Sequence, residues 1–193
     1  NFDMIIIPEK TSGPFMTIHL ALQFSQIDIN KPSFICDCDH SIDISPMIDY
    51  IKTYHDFELL VPYWDIKKYN ENYKDWGIIY EDNDKNIINF SEKEIIEGCT
   101  NFFGIIGCYY FKKLSYFNHP DYINISDGLF NHRMNIKSVE IKNAEFFGDK
   151  DRLNKVLINR KKICTVFCDI DGTIIEDEKY PDNLTLNVFH SSI

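Results

Sequence analysis

Two places in this chain put carboxylates where phosphate chemistry needs them. The first is Val166-Phe167-Cys168-Asp169-Ile170-Asp171-Gly172-Thr173, an apolar run ending in two aspartates, a glycine and a threonine. That is the pattern of a buried strand that opens a phosphate-transferring aspartate site. The second is Phe34-Ile35-Cys36-Asp37-Cys38-Asp39-His40, another apolar run that ends in carboxylates. Asp37 and Asp39 are two residues apart, so on a strand they point to the same side. The C-terminal edge of a parallel sheet is where ligands bind. A carboxylate there can hold Mg²⁺ against a triphosphate, because hard oxygen ligands suit the ion and it keeps several waters. The plainer alternative is a strand end that turns into solvent through Asp39, His40 and Ser41.

These residues need elements to position them. Residues 4–7 form a short apolar run, expected as a strand. The apolar spacing over 14–23, with Gly13 and Pro14 at its start, predicts a helix. Residues 34–36 read as a second buried strand. Residues 45–52 predict a short helix with Ser45 as N-cap and Pro46 at the first position. Residues 57–62 are strand-like, and 76–80 with 87–90 flank a polar turn, the pattern of a hairpin. Further strands are expected at 102–111 and 137–141. A helix is expected at 149–157, and a basic link at Arg160-Lys161-Lys162 leads into a strand over 163–170. Strands alternating with helices imply an α/β fold with a doubly wound, mostly parallel sheet, and the hairpin makes it mixed. The expected division is a domain over 1–161 and the start of a second α/β domain over 162–193.

Composition narrows the function. The 193 residues are 44% hydrophobic and 15% aromatic, enough for a real core. The net charge of −10 disfavours non-specific binding to nucleic acid or an anionic membrane. No stretch reaches the ~18 apolar residues of a membrane helix. None of the six cysteines lies in a C-x-x-C pair, so zinc spacing is absent. They read as reduced, mostly buried thiols of a cytoplasmic protein. Asn1 is not an initiator methionine, and the chain enters almost directly into a strand-like run. A truncated product is therefore expected.

The order of pieces carries a resemblance. Glu9-Lys10-Thr11-Ser12-Gly13-Pro14 opens a helix, and a strand follows that ends in Cys38-Asp39-His40. A hairpin then ends in Phe90-Ser91-Glu92-Lys93, followed by Gly107-Cys108-Tyr109-Tyr110-Phe111. Last comes Phe146-Phe147-Gly148-Asp149-Lys150-Asp151-Arg152-Leu153. Over residues 4–160 this succession resembles the sugar-phosphate nucleotidyltransferases, the makers of NDP-sugars, above all their capsule and surface-polysaccharide branch. The resemblance implies a Rossmann-like, glycosyltransferase-A-like fold. It implies that Asp39, with Asp37 beside it, holds a catalytic Mg²⁺. It puts the Lys10–Gly13 turn near the nucleotide base, and Glu92 and Lys93 at the sugar phosphate. Gly107 becomes the glycine where a ligand approaches the backbone, and Gly148 that of the family's late Gly-Thr-Pro-Glu-Asp-Leu segment. The reaction implied is in-line attack of a sugar phosphate on the α-phosphorus of a nucleoside triphosphate. It works by positioning and by charge neutralisation from Mg²⁺ and Lys93. Two departures stand out. The family's glycine-rich phosphate loop with its Arg and Lys has no counterpart in these residues. The family's second metal carboxylate is replaced by Phe146, with Glu145 or Asp149 as substitutes. Weak or absent turnover is therefore expected.

The aspartate run at 166–173 resembles the first motif of the haloacid-dehalogenase-like phosphatases. That likeness makes Asp169 the nucleophile and a Mg²⁺ ligand, and Asp171 the general acid/base. The later Ser/Thr, Lys and acidic pair of that family do not follow, so no phosphatase turnover is expected. Together the two resemblances imply a fragment of a bifunctional enzyme of activated-sugar biosynthesis. Its partners would be a nucleoside triphosphate and a sugar phosphate, with a homo-oligomer left open. The alternatives are a phosphatase with an upstream recognition domain and a non-catalytic nucleotide- or sugar-binding module.

Overall fold

A computed structural model describes residues 5–7, 10–82, 85–118, 122, 124–126 and 134–159. The helices are α1 (Pro14–Phe24), α2 (Ser45–Thr53) and α3 (Lys150–Asn159). The strands are β1 (Ser33–Cys36), β2 (His40–Ile42), β3 (Leu59–Trp64), β4 (Gly77–Glu81), β5 (Ile87–Glu92), β6 (Phe102–Ile105), β7 (Cys108–Phe111), β8 (Ile136–Glu140) and β9 (Ala144–Phe146). The chain divides into two compact units. One holds the residues up to Cys36 and Ile44–Ile141, the other Asp37–Asp43 and the segment from Lys142 onward.

In the first unit, β3 is buried at every position and lies at the centre of a sheet. On one edge it pairs in parallel with β8, from Leu59 opposite Ile136 to Tyr63 opposite Glu140. On the other edge it pairs antiparallel with both β6 and β7. β4 continues the sheet beyond β6, and β5 beyond β4, both antiparallel. β1 lies antiparallel to β7. The sheet is mixed as expected. The doubly wound, mostly parallel pairing is not what the described strands show, since every pair except β3–β8 is antiparallel. The reason is chain direction: a parallel pair needs a crossover back to the same end of the sheet, whereas the β4–β5 hairpin reverses the chain and β6 and β7 both run against β3.

The run expected as one strand over 102–111 is broken at Ile106 and Gly107, and Pro62 explains why. The Ile106 N–H donates to the Pro62 carbonyl at 3.0 Å. A residue's N–H points the same way as its C=O in a strand, so the donor that proline lacks also faces this edge. The opposing strand answers by bulging: Ile105 pairs with Tyr63, yet Tyr110 pairs with Leu60, a shift of register between them. Gly104 sits where Ile66 and Trp76 cross the strand, and a Cβ there would meet their atoms at 2.6 and 2.7 Å.

α1 packs through aromatic side chains on the segment that follows β7. Phe15 is fully buried and touches Tyr116, Phe117 and Tyr122 at ring separations of 5.4, 5.0 and 5.4 Å. His19 Nδ1 lies 2.6 Å from the Phe117 carbonyl, tying α1 to the short 3-10 turn Leu114–Asn118. Trp64, Trp76, Tyr109 and Tyr110 are buried packing residues, as read from sequence. Three expectations change. Residues 5–7 are not in a strand. Ile44, not Ser45, is the N-cap of α2, because Ser45 and Pro46 already belong to the helix. Cys36 and Cys38 are exposed rather than buried, because β1 is an edge strand and ends at Cys36. Among the described residues no helix is long and apolar enough to cross a membrane.

In the second unit, β2 and β9 form a two-stranded antiparallel ribbon, pairing His40 with Phe146 and Ser41 with Glu145. α3 follows β9 directly.

Candidate functional site

The ribbon of the second unit places Asp39 against Gly148. The Phe147 N–H donates to the Asp39 carbonyl at 2.9 Å, which brings the next residue beneath the Asp39 side chain. A Cβ on Gly148 would lie 3.1 Å from Asp39 Cγ and 3.4 Å from its Cβ, and closer still to Oδ2. Glycine leaves room here for the Asp39 carboxylate, which occupies the volume a side chain would take. Two residues more than a hundred positions apart are thus joined at one point.

His40 completes this arrangement. Its side chain is buried, and its Nδ1 lies 3.4 Å from Asp39 Oδ1. The hydrogen bond with His40, helped by the positive charge of Arg152, holds the Asp39 carboxyl below its usual range. Asp37 goes the other way. Loss of hydration and the neighbouring Asp39 carboxylate push it up to about 6. The side chain of Asp39 remains 43% exposed, so this anion is open to a ligand.

Three residues near Asp39 have other partners. Phe146 stands opposite His40 in the ribbon and offers no oxygen. Glu145 lines a polar hollow of about 360 Å³ with Ser41, Ile42, Asp43 and Asn143. Asp149 caps α3, accepting the Arg152 N–H at 2.8 Å and pairing with the Arg152 guanidinium at 3.3 Å. Among the described residues no group of three or more His, Cys, Asp or Glu side chains gathers as a metal cage. The donor set that is present, carboxylate oxygens at one strand end with Asp39 kept anionic, fits Mg²⁺. That ion is commonly held by one or two carboxylates together with substrate phosphates.

The first unit holds the other predicted residues. Glu92 ends β5, opposite Gly77, where an added Cβ would come within 3.3 Å of Glu92 Oε1. The buried Ser126 hydroxyl donates to the same oxygen. Lys93 follows with φ of 58°, a left-handed conformation unfavourable for a side-chain-bearing residue. Its N–H donates to the Trp76 carbonyl at 3.0 Å, and its side chain is exposed. Tyr80 secures the turn beyond it. Its hydroxyl lies 3.0 Å from Ser91 Oγ, donates to the Glu94 carbonyl at 3.3 Å and accepts the Ile96 N–H at 2.8 Å.

Gly107 is the centre of the bulge, with the Cys108 N–H donating to the Ile106 carbonyl at 2.6 Å. Lys10 is exposed ahead of α1, and the Gly13 carbonyl accepts from the Thr17 N–H at 3.1 Å. Thr11 Oγ1 and Thr17 Oγ1 lie 2.6 Å apart and brace this turn. Asp169 and Asp171 lie outside the described residues, as does the expected boundary at 161–162.

Sequence reasoning missed four contributors: His40, Arg152, Tyr80 and Ser126. His40 was read as a turn residue. Arg152 had a signal, an arginine three residues after an aspartate at a helix start. Tyr80 and Ser91 become diagonal neighbours only once the hairpin register is known. Ser126 had none.

Solved structures resemble this chain in fold. One, assigned as a glucose-1-phosphate thymidylyltransferase from Bacillus anthracis and solved with sucrose, aligns with a TM-score of 0.63 and 16% identity, over 81% of this chain and 64% of that one. The fold is that of the sugar nucleotidyltransferases. A nucleoside-diphosphate-sugar pyrophosphorylase from Vibrio cholerae aligns with a TM-score of 0.59 and 15% identity, over 79% of this chain and 67% of that one. HddC from Yersinia pseudotuberculosis, also solved with GMP-PN, gives 0.57 and 16%, over 80% and 65%. The chain thus spans about two thirds of the length of these nucleotidyltransferase-fold proteins. No protein-family model and no curated protein matches its sequence.

Proposed function

We propose that this chain serves nucleotidyl transfer from a nucleoside triphosphate to a sugar phosphate, with Mg²⁺, in the cytoplasm. The observation that carries the reading is the close approach of Asp39, which the resemblance gives to the metal, and Gly148, which it places among the substrate-binding residues. Fold likeness to sugar nucleotidyltransferases supports it.

Asp39, with Asp37 beside it, would hold the cation. When bound, the cation neutralises phosphate charge that builds during displacement. His40 and Arg152 keep the Asp39 carboxylate anionic and fixed in direction. Lys93 presents an ammonium group on an exposed turn, where it would bind the sugar phosphate and offset its charge. Glu92, oriented by Ser126, would accept hydrogen bonds from sugar hydroxyls. Lys10, ahead of α1, would lie near the base. Gly107 leaves a backbone that a flat ligand group could approach.

The glycine-rich triphosphate loop of the resemblance is not found among these 193 residues, so slow turnover is expected of this chain by itself. Binding is therefore the sharper test. A hexose 1-phosphate series titrated by calorimetry should show saturable binding. Lys93→Ala should weaken it roughly 10- to 100-fold, the worth of one charged hydrogen bond. Equal affinity for Lys93→Ala and the parent chain would refute the assignment.

A second activity is favoured by one observation, the register of Asp169, Asp171, Gly172 and Thr173 after an apolar run. This reads as the opening of a phosphatase site. Asp169 would take up the phosphoryl group while Asp171 protonates the leaving oxygen, and water would then release phosphate.

A further inference from the structure

The first unit carries a thiol pair that plays no part in the proposed transfer. Cys36 and Cys108 stand directly opposite each other in the β1–β7 ladder. Their sulfurs lie 2.9 Å apart, well inside the roughly 3.5–4.0 Å at which non-bonded heavy atoms normally rest. Directly opposed antiparallel residues have Cα atoms about 4.5–5.5 Å apart, within the range that a disulfide spans. The two thiols also differ in access. Cys36 is exposed and Cys108 is buried at 1% exposure. Cys38 is exposed too, but lies past the end of β1 with no cysteine opposite it in the ladder. Cys99 lies in the loop between β5 and β6.

We propose that Cys36 and Cys108 form a reversible redox modification site whose co-substrate is a small-molecule disulfide of the glutathione class. The exposed Cys36 thiolate attacks one sulfur of that disulfide, forming a mixed disulfide and releasing the first small thiolate. Cys108, giving its proton to water, then attacks Cys36 Sγ. The mixed bond breaks, the Cys36–Cys108 bond forms and the second small thiol leaves. Two protein thiols are oxidised and one disulfide is reduced to two thiols. The reaction needs little backbone movement, because the ladder already holds the sulfurs in contact. The cross-link would pin β1 to β7 directly before Asp37, and so fix the strand that leads into the two carboxylates.

The test uses the full chain in glutathione buffers of rising oxidised fraction, quenched by alkylation and mapped as non-reduced peptides by mass spectrometry. The expected product is a Cys36–Cys108 linked peptide that loses two hydrogens and is reversed by excess thiol. Cys38→Ser should leave it unchanged, and Cys36→Ser should abolish it. Because the cysteines are 72 positions apart, closing this loop should raise the melting temperature of the sheet unit by roughly 10 °C. Melting of the reduced Cys36→Ser chain at the parent temperature shows that this exposed substitution leaves the fold intact. Three results would overturn the proposal: a stable mixed disulfide at Cys36, a cross-link through Cys38, Cys99, Cys164 or Cys168, or lower thermal stability after oxidation.

Discussion

Gly148→Ala should act through Asp39, which supplies the three nearest atoms to an added Cβ. The added methyl would sit too close to Asp39 Oδ2 to be tolerated and tightly, at 3.1 Å, against Cγ, while its distance to Asp39 Cβ, 3.4 Å, is ordinary. The carboxylate must therefore swing aside. An off-rotamer aspartate costs ~0.5–1.5 kcal/mol. Weakening the bond to His40 adds a fraction of the ~1 kcal/mol of an ordinary hydrogen bond. The expected cost is about 1–2 kcal/mol. Replacing glycine also removes freedom from the unfolded chain, a gain of ~0.4–1 kcal/mol that is the same in any background. A double-mutant cycle cancels it. With Asp39→Ala in place, only the Cβ contact remains, so Gly148→Ala should cost at least ~1 kcal/mol less than it does beside Asp39. The reporter is the Phe147 amide, which donates to the Asp39 carbonyl at 2.9 Å, and whose hydrogen exchange measures opening of this ribbon alone. Gly148→Ala should speed its exchange about five-fold more in the parent than in Asp39→Ala, the rate equivalent of ~1 kcal/mol. Equal acceleration in both backgrounds would falsify the steric account.

Tyr80→Phe removes the hydroxyl that accepts the Ile96 N–H, so exchange at Ile96 should rise by the equivalent of ~1–3 kcal/mol while the β4–β5 ladder stays protected. At Lys93 the left-handed φ of 58° costs a side-chain-bearing residue ~1–2 kcal/mol, partly offset by the entropy of glycine. Lys93→Gly should therefore be more stable than Lys93→Ala by roughly 0.5–1 kcal/mol in urea unfolding, and both should lose sugar-phosphate affinity. Glu81 is buried, and burial raises its pKa above 4.5 despite the Ser138 hydroxyl bonded to it. The fold thus holds that proton more tightly than the unfolded chain. Its contribution is full below pH 4.5 and is lost as pH rises through the raised folded value. Glu81→Gln should flatten that part of the stability–pH curve, and an unchanged slope would rule this source out.

Much of the frame was legible because it rests on local pattern. The helix at 14–24, the β4–β5 hairpin and the strand before Asp37 follow from spacing and turn residues. The pairing of strands was not legible, because alternation says where strands lie but not which edge they share. The break after Ile105 depends on Pro62, some forty residues earlier, through a hydrogen bond that only the sheet reveals. The short ribbon β2–β9 was read as a turn plus an unassigned segment, since three residues carry too little period to declare a strand. At the site, Asp39 and Gly148 were visible as residue types in a familiar order, but their contact was not. His40 illustrates the limit: a histidine beside an aspartate suggests a turn until burial of its ring fixes it as the partner of that carboxylate.

The electrostatics around Asp39 bear on how strongly a cation would be held. The resemblance calls for a second carboxylate at position 146, and Phe146 supplies none. Arg152 lies close enough to stabilise the Asp39 anion, and it is itself held by Asp149 at 3.3 Å. A guanidinium beside a single carboxylate lowers the negative potential a divalent ion would feel. The site should therefore bind Mg²⁺ weakly in the absence of substrate and depend on phosphate oxygens to complete its shell. That coupling separates the two functional classes. If the chain handles nucleoside triphosphates with a metal, Mg²⁺ and nucleotide should each strengthen binding of the other, and Arg152→Ala should tighten Mg²⁺ alone. A module that only binds sugars would show no such linkage, because without nucleotide binding there is no coupling free energy between nucleotide and cation.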